Sequence, residues 1–573
     1  MKKTRALALV LALVLFCSLL SGCGTIRLLL ERRAGSDGGM VSFGDMQYER
    51  PDLDAMLRDA DAIIASLDES ANPKSADVRK ALDALFDAWS HLRTMETLAT
   101  IRSDLDVTDD YYREEASWCT DAEITMRGKF EEVFAACAVS PIRKQLDLYF
   151  GKGYLDDYGE DYVYPEALFN LQKQENDLVN RYYAALAAAH FTWNGTDYTL
   201  DELYQAEQKG TLEGITFSEA VTGYYTEVNR TLGGIFVELV KLRHAIAAEA
   251  GYDDYVRMAY DQNGRDFTPK DVEDYTAAIK TELVPLYRRA VESGLTDDAY
   301  MGTPARRGSD SLQDAAAIAD ALGGDIAETA NFLLEYDLIN ADVSNKKISD
   351  SYEIYLTDYE APYVFAGTAG YAEDVLTILH ELGHAVDDYV HYEALDSTDV
   401  SETLSQGLEY LGLPYLDDDI HDSVLAYKLA DVLRMYAEQG SFNAFEERVY
   451  ALPDADVTLE NINAIALDCA KEFAMESEWG EGYDAMSWVE ITHFFQQPLY
   501  IISYLASDSM AFQFYEQELQ EEGRGLELWN KCLDLSEDKE FTELAGELGL
   551  RDPLSAEQIR AIARILQEQL DIH

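Results

Sequence analysis

Leu379-His380-Glu381-Leu382-Gly383-His384 sets two histidines one helical turn apart with a glutamate between them. On a helix that spacing turns both imidazoles to one face, where they can share a dication, and it leaves the carboxylate beside the open coordination position, ready to take a proton from water. The chain has only nine histidines in 573 residues, so the pairing is rare by chance. A solvent-facing helix with scattered polar residues is the competing reading. The flanks argue against it, because Val375, Leu379, Leu382, Val386 and Val390 recur every three to four residues as a separate apolar stripe. Gly367-Thr368-Ala369-Gly370 interrupts the extended stretch before it, so the spacing predicts a helix over residues 372–391.

A hydrolytic zinc centre takes three protein donors and keeps a fourth position for water. A metzincin would carry glycine at 387 and histidine at 390, where this chain has Asp387 and Val390. His391 is one residue out of place and reads better as a cation at a helix end. The better third donor is Glu402, in a segment from Asp399 to Glu409 that reads as a second amphipathic helix closing near Gly412 and Pro414. Val400, Leu404, Leu408 and Leu411 form its buried face. Glu402 and Glu409 share another face two turns apart, so one can ligate while the other accepts a hydrogen bond from a ligand histidine. In so acidic a chain an exposed acidic stripe is the bland alternative.

Residues 352–356 and 362–365 read as strands leading into the metal helix, and a strand edge there would let an extended peptide pair with the main chain. Farther upstream, residues 53–189 are dominated by helical periodicity, with long segments at 81–98, 120–139 and 165–189. Apolar stripes such as Leu168, Leu171 and Leu178 read as core. Asn194-Gly195 inside residues 191–200 predicts a hairpin, after which helices resume over 217–289.

The chain is too long for one ordinary domain, and its 47% hydrophobic and 11% aromatic residues supply a large core. A net charge of −63 argues against nucleic acid or an anionic membrane surface as the main partner and favours cationic peptides or metal ions. Runs such as Asp417-Asp418-Asp419 read as solvated faces. Lys2, Lys3 and Arg5 precede an apolar run over 6–20 and then Leu20-Ser21-Gly22-Cys23, which resembles a bacterial lipoprotein signal. The resemblance implies cleavage before Cys23, lipidation of its thiol and an extracytoplasmic protein anchored to a membrane. A spanning helix is the alternative, but the run is short for a bilayer. The expected organisation is a leader over 1–22, a glycine-rich tether over 23–45, an N-terminal helical domain over 46–195 and a catalytic domain over 196–573. Cys119, Cys137, Cys469 and Cys532 lack metal-ligand spacing and read as buried thiols at least as readily as disulfides.

The stretch from Pro362-Tyr363-Val364-Phe365 through Gly370 and Asp374-Val375 into His380-Glu381-Leu382-Gly383-His384 resembles the thimet oligopeptidase and oligoendopeptidase F family of zinc peptidases. Glu402, Ser405-Gln406 and Glu409 match that family's third-ligand segment, and His493-Phe494-Phe495 with Tyr500 and Tyr504 resembles its histidine-and-tyrosine segment. The resemblance implies a mainly helical zincin-type fold with a small β region beside the metal helix and a deep channel for short, unstructured peptides. It implies one zinc ion per chain on His380, His384 and Glu402, with Glu381 as general base and Glu409 behind a ligand histidine. His493, Tyr500 and Tyr504 would stabilise the oxyanion, in a protein expected to act as a monomer. Three positions depart from the family: Asp387 replaces a further histidine, Tyr371 replaces a threonine, and one extra residue separates His493 from the tyrosines. The last leaves open which tyrosine is the main oxyanion donor. Two other readings stand beside this one, a zinc amidase acting on cell-wall peptides and a surface lipoprotein that binds peptide or metal without turnover. A base at Glu381 weighs against the second, since holding a ligand does not require one.

Overall fold

Helices whose ends are written into the sequence make nearly all of the fold. The computed structural model describes residues 40–158, 166–392, 397–477, 479–536 and 539–572; the leader, Cys23 and the tether up to residue 39 lie outside the described residues. Among the described residues, α1 (Leu53–Leu67), α2 (Ser75–Leu105) and α3 (Asp110–Val139) pack on one another as the N-terminal layer. The Asp52 and Asp109 side chains accept first-turn N–H groups at the starts of α1 and α3, satisfying donors that a helix leaves open. Ahead of them, Phe43 already packs its ring, tilted by 43°, on that of Tyr363, with centroids 4.6 Å apart.

Next, α4 (Glu166–Ala187) packs on α5 (Phe217–Glu249), and between them in sequence lies the antiparallel hairpin of β1 (Phe191–Trp193) and β2 (Thr196–Tyr198). Asn194 and Gly195 both have positive φ, +52° and +79°, as a two-residue hairpin turn of this sequence requires. A further helix over Leu200–Gln208, opened by a capping box between Thr199 and Glu202, precedes the predicted resumption at 217.

The small sheet beside the metal helix is built from β3 (Ile339–Asn340), β4 (Tyr352–Leu356) and β5 (Ala361–Phe365), in the order β3-β5-β4. Central β5, buried at all five positions, pairs antiparallel with outer β4 in the register Tyr352 to Phe365 and Leu356 to Ala361. On its other side β5 pairs in parallel with β3. The predicted strands at 352–356 and 362–365 are therefore present.

Four long helices follow: α6 (Asp374–His391), α7 (Thr398–Gly412), α8 (His421–Tyr450) and α9 (Ile501–Gln520). Helix α7 lies between α6 and α9 and packs on both. One contiguous apolar core runs from Met46 to Ile572. The mainly helical architecture expected from the sequence is thus observed. Cys119, Cys137, Cys469 and Cys532 are buried and unpaired. Among the described residues no helix is long and apolar enough to cross a membrane.

Candidate metal centre

Helix α6 is started by its own first residue. The Asp374 carboxylate accepts N–H groups from Ala369 (2.9 Å), Gly370 (2.8 Å) and Tyr371 (3.1 Å), and Gly370 supplies the φ of +93° that folds the chain back over it. The observed start at Asp374 is two residues later than the spacing predicts, because the chain first makes tight turns in which the Asp374, Val375 and Leu376 N–H groups bond back three residues to Tyr371, Ala372 and Glu373. The apolar stripe is buried except for part of Val390, and His380 and His384 emerge together on another face, ring centroids 5.0 Å apart.

Glycines let α7 come close enough to meet them. A Cβ on Gly383 would stand 2.4 Å from Ser405 Cα, and one on Gly407 would meet Trp529 Cδ1 at 2.8 Å and Phe514 Cδ2 at 3.0 Å. The buried Trp529 indole also donates to the Leu404 carbonyl at 2.9 Å, pinning α7 from its far side. Glu402 is thereby brought against both imidazoles: its Oε2 lies 3.5 Å from His380 Nε2 and 3.8 Å from His384 Nε2.

The three donors lie within 4.8 Å of one another. Four donors each about 2.1 Å from a zinc ion stand about 3.4 Å apart, so the spacing fits a tetrahedral ion with little adjustment. Hydrogen bonds select which imidazole nitrogen is offered. His380 Nδ1 is 2.9 Å from Glu409 Oε1, and His384 Nδ1 is 2.9 Å from Ser401 Oγ, so both Nε2 atoms face the shared point. Glu409 is held in turn by the buried Lys428 ammonium at 2.7 Å. Two imidazoles and one carboxylate, each tied down from behind, are a donor set suited to zinc with one position left for water.

Charge and burial set the protonation. Burial alone would lower the pKa of His380, but its hydrogen bonds to Glu402 and Glu409 outweigh this and raise it well above the usual histidine value. His384, with no second carboxylate behind it, is pushed down to about 4 by burial. Burial also raises Glu402, yet its bond to His380 and the imidazole charges prevail and hold it at about 2. Glu381 is pushed up to about 7, first by burial and then by the nearby carboxylates, although it accepts the main-chain N–H of Glu353 on outer strand β4. A cavity of 230 Å³ lies against His380 and Glu381, walled also by Glu373, Glu409, Lys428 and Asp431, and gives both residues polar surroundings.

The third predicted group closes the other side. His493 sits in a short helix, Thr492–Gln496, and Tyr500 immediately precedes α9, within which Tyr504 lies one turn on. The Tyr500 hydroxyl donates to Glu402 Oε1 at 2.9 Å, and the Tyr504 hydroxyl is 3.5 Å from His493 Nε2. Burial raises both phenols well above their usual range, so they remain donors, and burial lowers His493. His391 bonds to Asp387 at 2.9 Å and takes no part in the donor cluster. Sequence reasoning missed Ser401 and Lys428. Ser401 carries a weak signal, standing beside Glu402, whereas nothing local marks Lys428.

Residues 43–159 match the family model described as the Peptidase M3 N-terminal domain. No curated protein sequence matches the chain. Solved structures match over most of its length. A candidate oligoendopeptidase F superposes with a TM-score of 0.73 at 22% identity, covering 93% of this chain and 99% of that one. PZ peptidase A, solved with an inhibitor, gives 0.74 at 20% identity, with coverage of 92% and 99%. A candidate oligoendopeptidase F from Bacillus anthracis gives 0.67 at 22% identity, with coverage of 93% and 99%. The fold is therefore that of the peptidases the metal-helix sequence resembles, and the matched N-terminal model carries a peptidase name as well.

Proposed function

We propose that the chain is a zinc-dependent endopeptidase that hydrolyses short peptides, with the metal on His380, His384 and Glu402. The observation that carries this reading is the convergence of those donors around one point, with Glu381 beside it and Tyr500, Tyr504 and His493 opposite. A zinc ion held by His380, His384 and Glu402 would supply Lewis-acid polarisation of the scissile carbonyl and lower the pKa of a bound water to near neutral. The chain's own residues do the rest. Glu381, buried and oriented by the Glu353 amide, accepts the water's proton and passes it to the leaving amine. Tyr504 and His493 offer hydrogen-bond donors to the oxygen that gains charge, Tyr500 joining them only where its hydroxyl turns from Glu402, and losing one such donor typically costs on the order of a hundredfold in rate. Glu409 and Ser401 hold the two imidazoles in the ligating orientation. The oligoendopeptidase and peptidase names of the matched structures support short peptides as substrates.

The leader sequence supports export and lipidation at Cys23, which would hold the enzyme at the outer face of a bacterial membrane. Radiolabelled lipid incorporation into wild type but not Cys23→Ser tests the anchor, and equal labelling of both rejects it.

Mass spectrometry of a peptide mixture incubated with wild type and with Glu381→Gln tests the chemistry. The variant should keep its zinc and lose about 10²–10⁴-fold in turnover. Equal product from both ends the hydrolase reading, and product from neither, with zinc bound, assigns a binding role instead.

A further inference from the structure

Arg265 touches none of the proposed ligands, yet it lies directly behind them. Its side chain and that of Asp399 have no exposed surface, and Arg265 Nε stands 3.8 Å from Asp399 Oδ2. The same guanidinium donates through Nη2 to the Leu499 carbonyl at 2.8 Å and to Ser503 Oγ at 2.9 Å, and its flat face lies 4.7 Å from the centre of the Tyr260 ring. One group therefore spans two elements of the site. Asp399 is in the first turn of α7, one turn before Glu402, and Leu499 immediately precedes Tyr500.

Both attachment points need holding. Leu499 has a φ of +62°, a left-handed conformation that is strained for a residue with a side chain. Its peptide neighbours are clamped on both sides, the N–H by Glu446 Oε1 at 2.8 Å and the carbonyl by Arg265. Ser397, ahead of α7, makes no side-chain capping bond, so the first turn lacks the local tie seen at α1 and α3. A buried guanidinium is costly unless fixed partners compensate, and removing it strands Asp399. Both hydrogen bonds of the guanidinium leave from Nη2, so Asp399 is held by charge across 3.8 Å rather than by a hydrogen bond, and the rigid planar group carries that charge at a fixed place behind the Leu499 carbonyl.

We propose that Arg265 is a positioning residue of this site: it locks the left-handed turn at Leu499 to the first turn of α7, and so sets the Tyr500 hydroxyl in register with Glu402. The inference rests on the peptidase reading for its kinetic consequence, though not for its consequence in metal binding. An ordinary core ion pair would lower stability when removed but would not act through Tyr500.

A double-mutant cycle separates the two. Wild type, Arg265→Met, Tyr500→Phe and the double variant are compared in kcat and KM on a quenched fluorescent peptide, and in zinc affinity by competition with a chelating indicator. Arg265→Met should lower kcat about tenfold or more with KM within about threefold, and weaken zinc binding about tenfold. The double variant should be no worse than the worse single variant, and Arg265→Lys should fall between Arg265→Met and wild type. Losses that multiply, or a kcat and zinc affinity equal to wild type, overturn the proposal. Should Arg265→Met fail to fold, Ser503→Ala removes one acceptor without stranding a charge. It should give a smaller loss in kcat, again not multiplied by Tyr500→Phe, and wild-type kcat in both Ser503→Ala and Arg265→Lys overturns the proposal. A wild type that binds zinc without peptide turnover refutes the peptidase reading alone, and the zinc-affinity cycle then still decides on Arg265.

Discussion

His380 and His384 have the same chemistry and opposite protonation before a metal arrives. His380 lies between Glu402 and Glu409, whose hydrogen bonds overcome burial and raise its pKa well above the usual value. His384 meets the Ser401 hydroxyl instead, and burial leaves it neutral down to about pH 4. A dication must therefore displace one proton, that of His380. Zinc affinity should rise with pH, by close to tenfold per unit between about pH 6 and 7, with release of about one proton per ion. Indicator dyes read that release directly, and an affinity flat over this range would refute the assignment. Elemental analysis of Glu402→Ala should find the zinc lost, and wild-type zinc in that variant would remove Glu402 from the site. The pairs His380–His384 and Glu402–Glu409 were legible because a helix converts fixed spacing into a shared face. Ser401, Lys428 and Arg265 were not. They reach the site through tertiary contacts, and no local period records which distant helix a lysine or arginine will face.

Two helices must approach closely before those residues can meet, and glycine makes it possible. A Cβ on Gly383 would meet backbone, Ser405 Cα at 2.4 Å, so no side chain can turn aside to relieve it. Gly383→Ala should force α6 and α7 apart, destabilising the fold by about 1–3 kcal/mol as overpacking does. It should also weaken zinc binding, since Glu402 retreats from both imidazoles. Gly234→Ala in α5 is the control, because nothing lies within 4 Å of its added Cβ and alanine is the better helix former. Thermal denaturation and chelator competition on both variants check this, and equal zinc affinity in Gly383→Ala and wild type would show that the approach is not limiting. At this scale the sequence was informative where signals are local. The Asn194-Gly195 turn, the strands at 352–356 and 362–365, and the metal helix all emerge close to their predicted positions. Strand β3 did not, since two residues carry no alternation and its pairing with β5 is set by chain topology.

Across the whole molecule, composition made the helical class and large core legible, but it did not reveal how many carboxyls lie inside. Burial pushes Glu446 up to about 8, Glu96 and Asp104 to about 7, and Asp508 to about 6. Unfolded, these groups titrate near pH 4. Between pH 4 and 8 the folded chain thus holds protons that the unfolded chain has released, and stability falls as pH rises. The raised His380 acts in the same direction, its contribution being lost as pH passes its folded value. His384 opposes it below the unfolded histidine value, and Glu402, held at about 2, contributes stability that disappears only in stronger acid. One imidazole does not offset several buried carboxyls, so the metal-stripped protein should be more stable at pH 5.5 than at pH 8, with a clearly lower Tm at pH 8. Self-repulsion from a net charge of −63 also lowers stability, but it is screened by salt, whereas the buried protons are not. Scans at pH 5.5 and 8 in about 0.5 M salt therefore isolate the buried term. The difference should persist, and Glu446→Gln, which keeps an oxygen for the Leu499 N–H, should narrow it by raising the pH 8 value relative to the pH 5.5 value. Equal Tm values for wild type at the two pH values in high salt would mean that these carboxyls are ionised in the fold, and that the polar interior around Leu499 is held by charges rather than by protons.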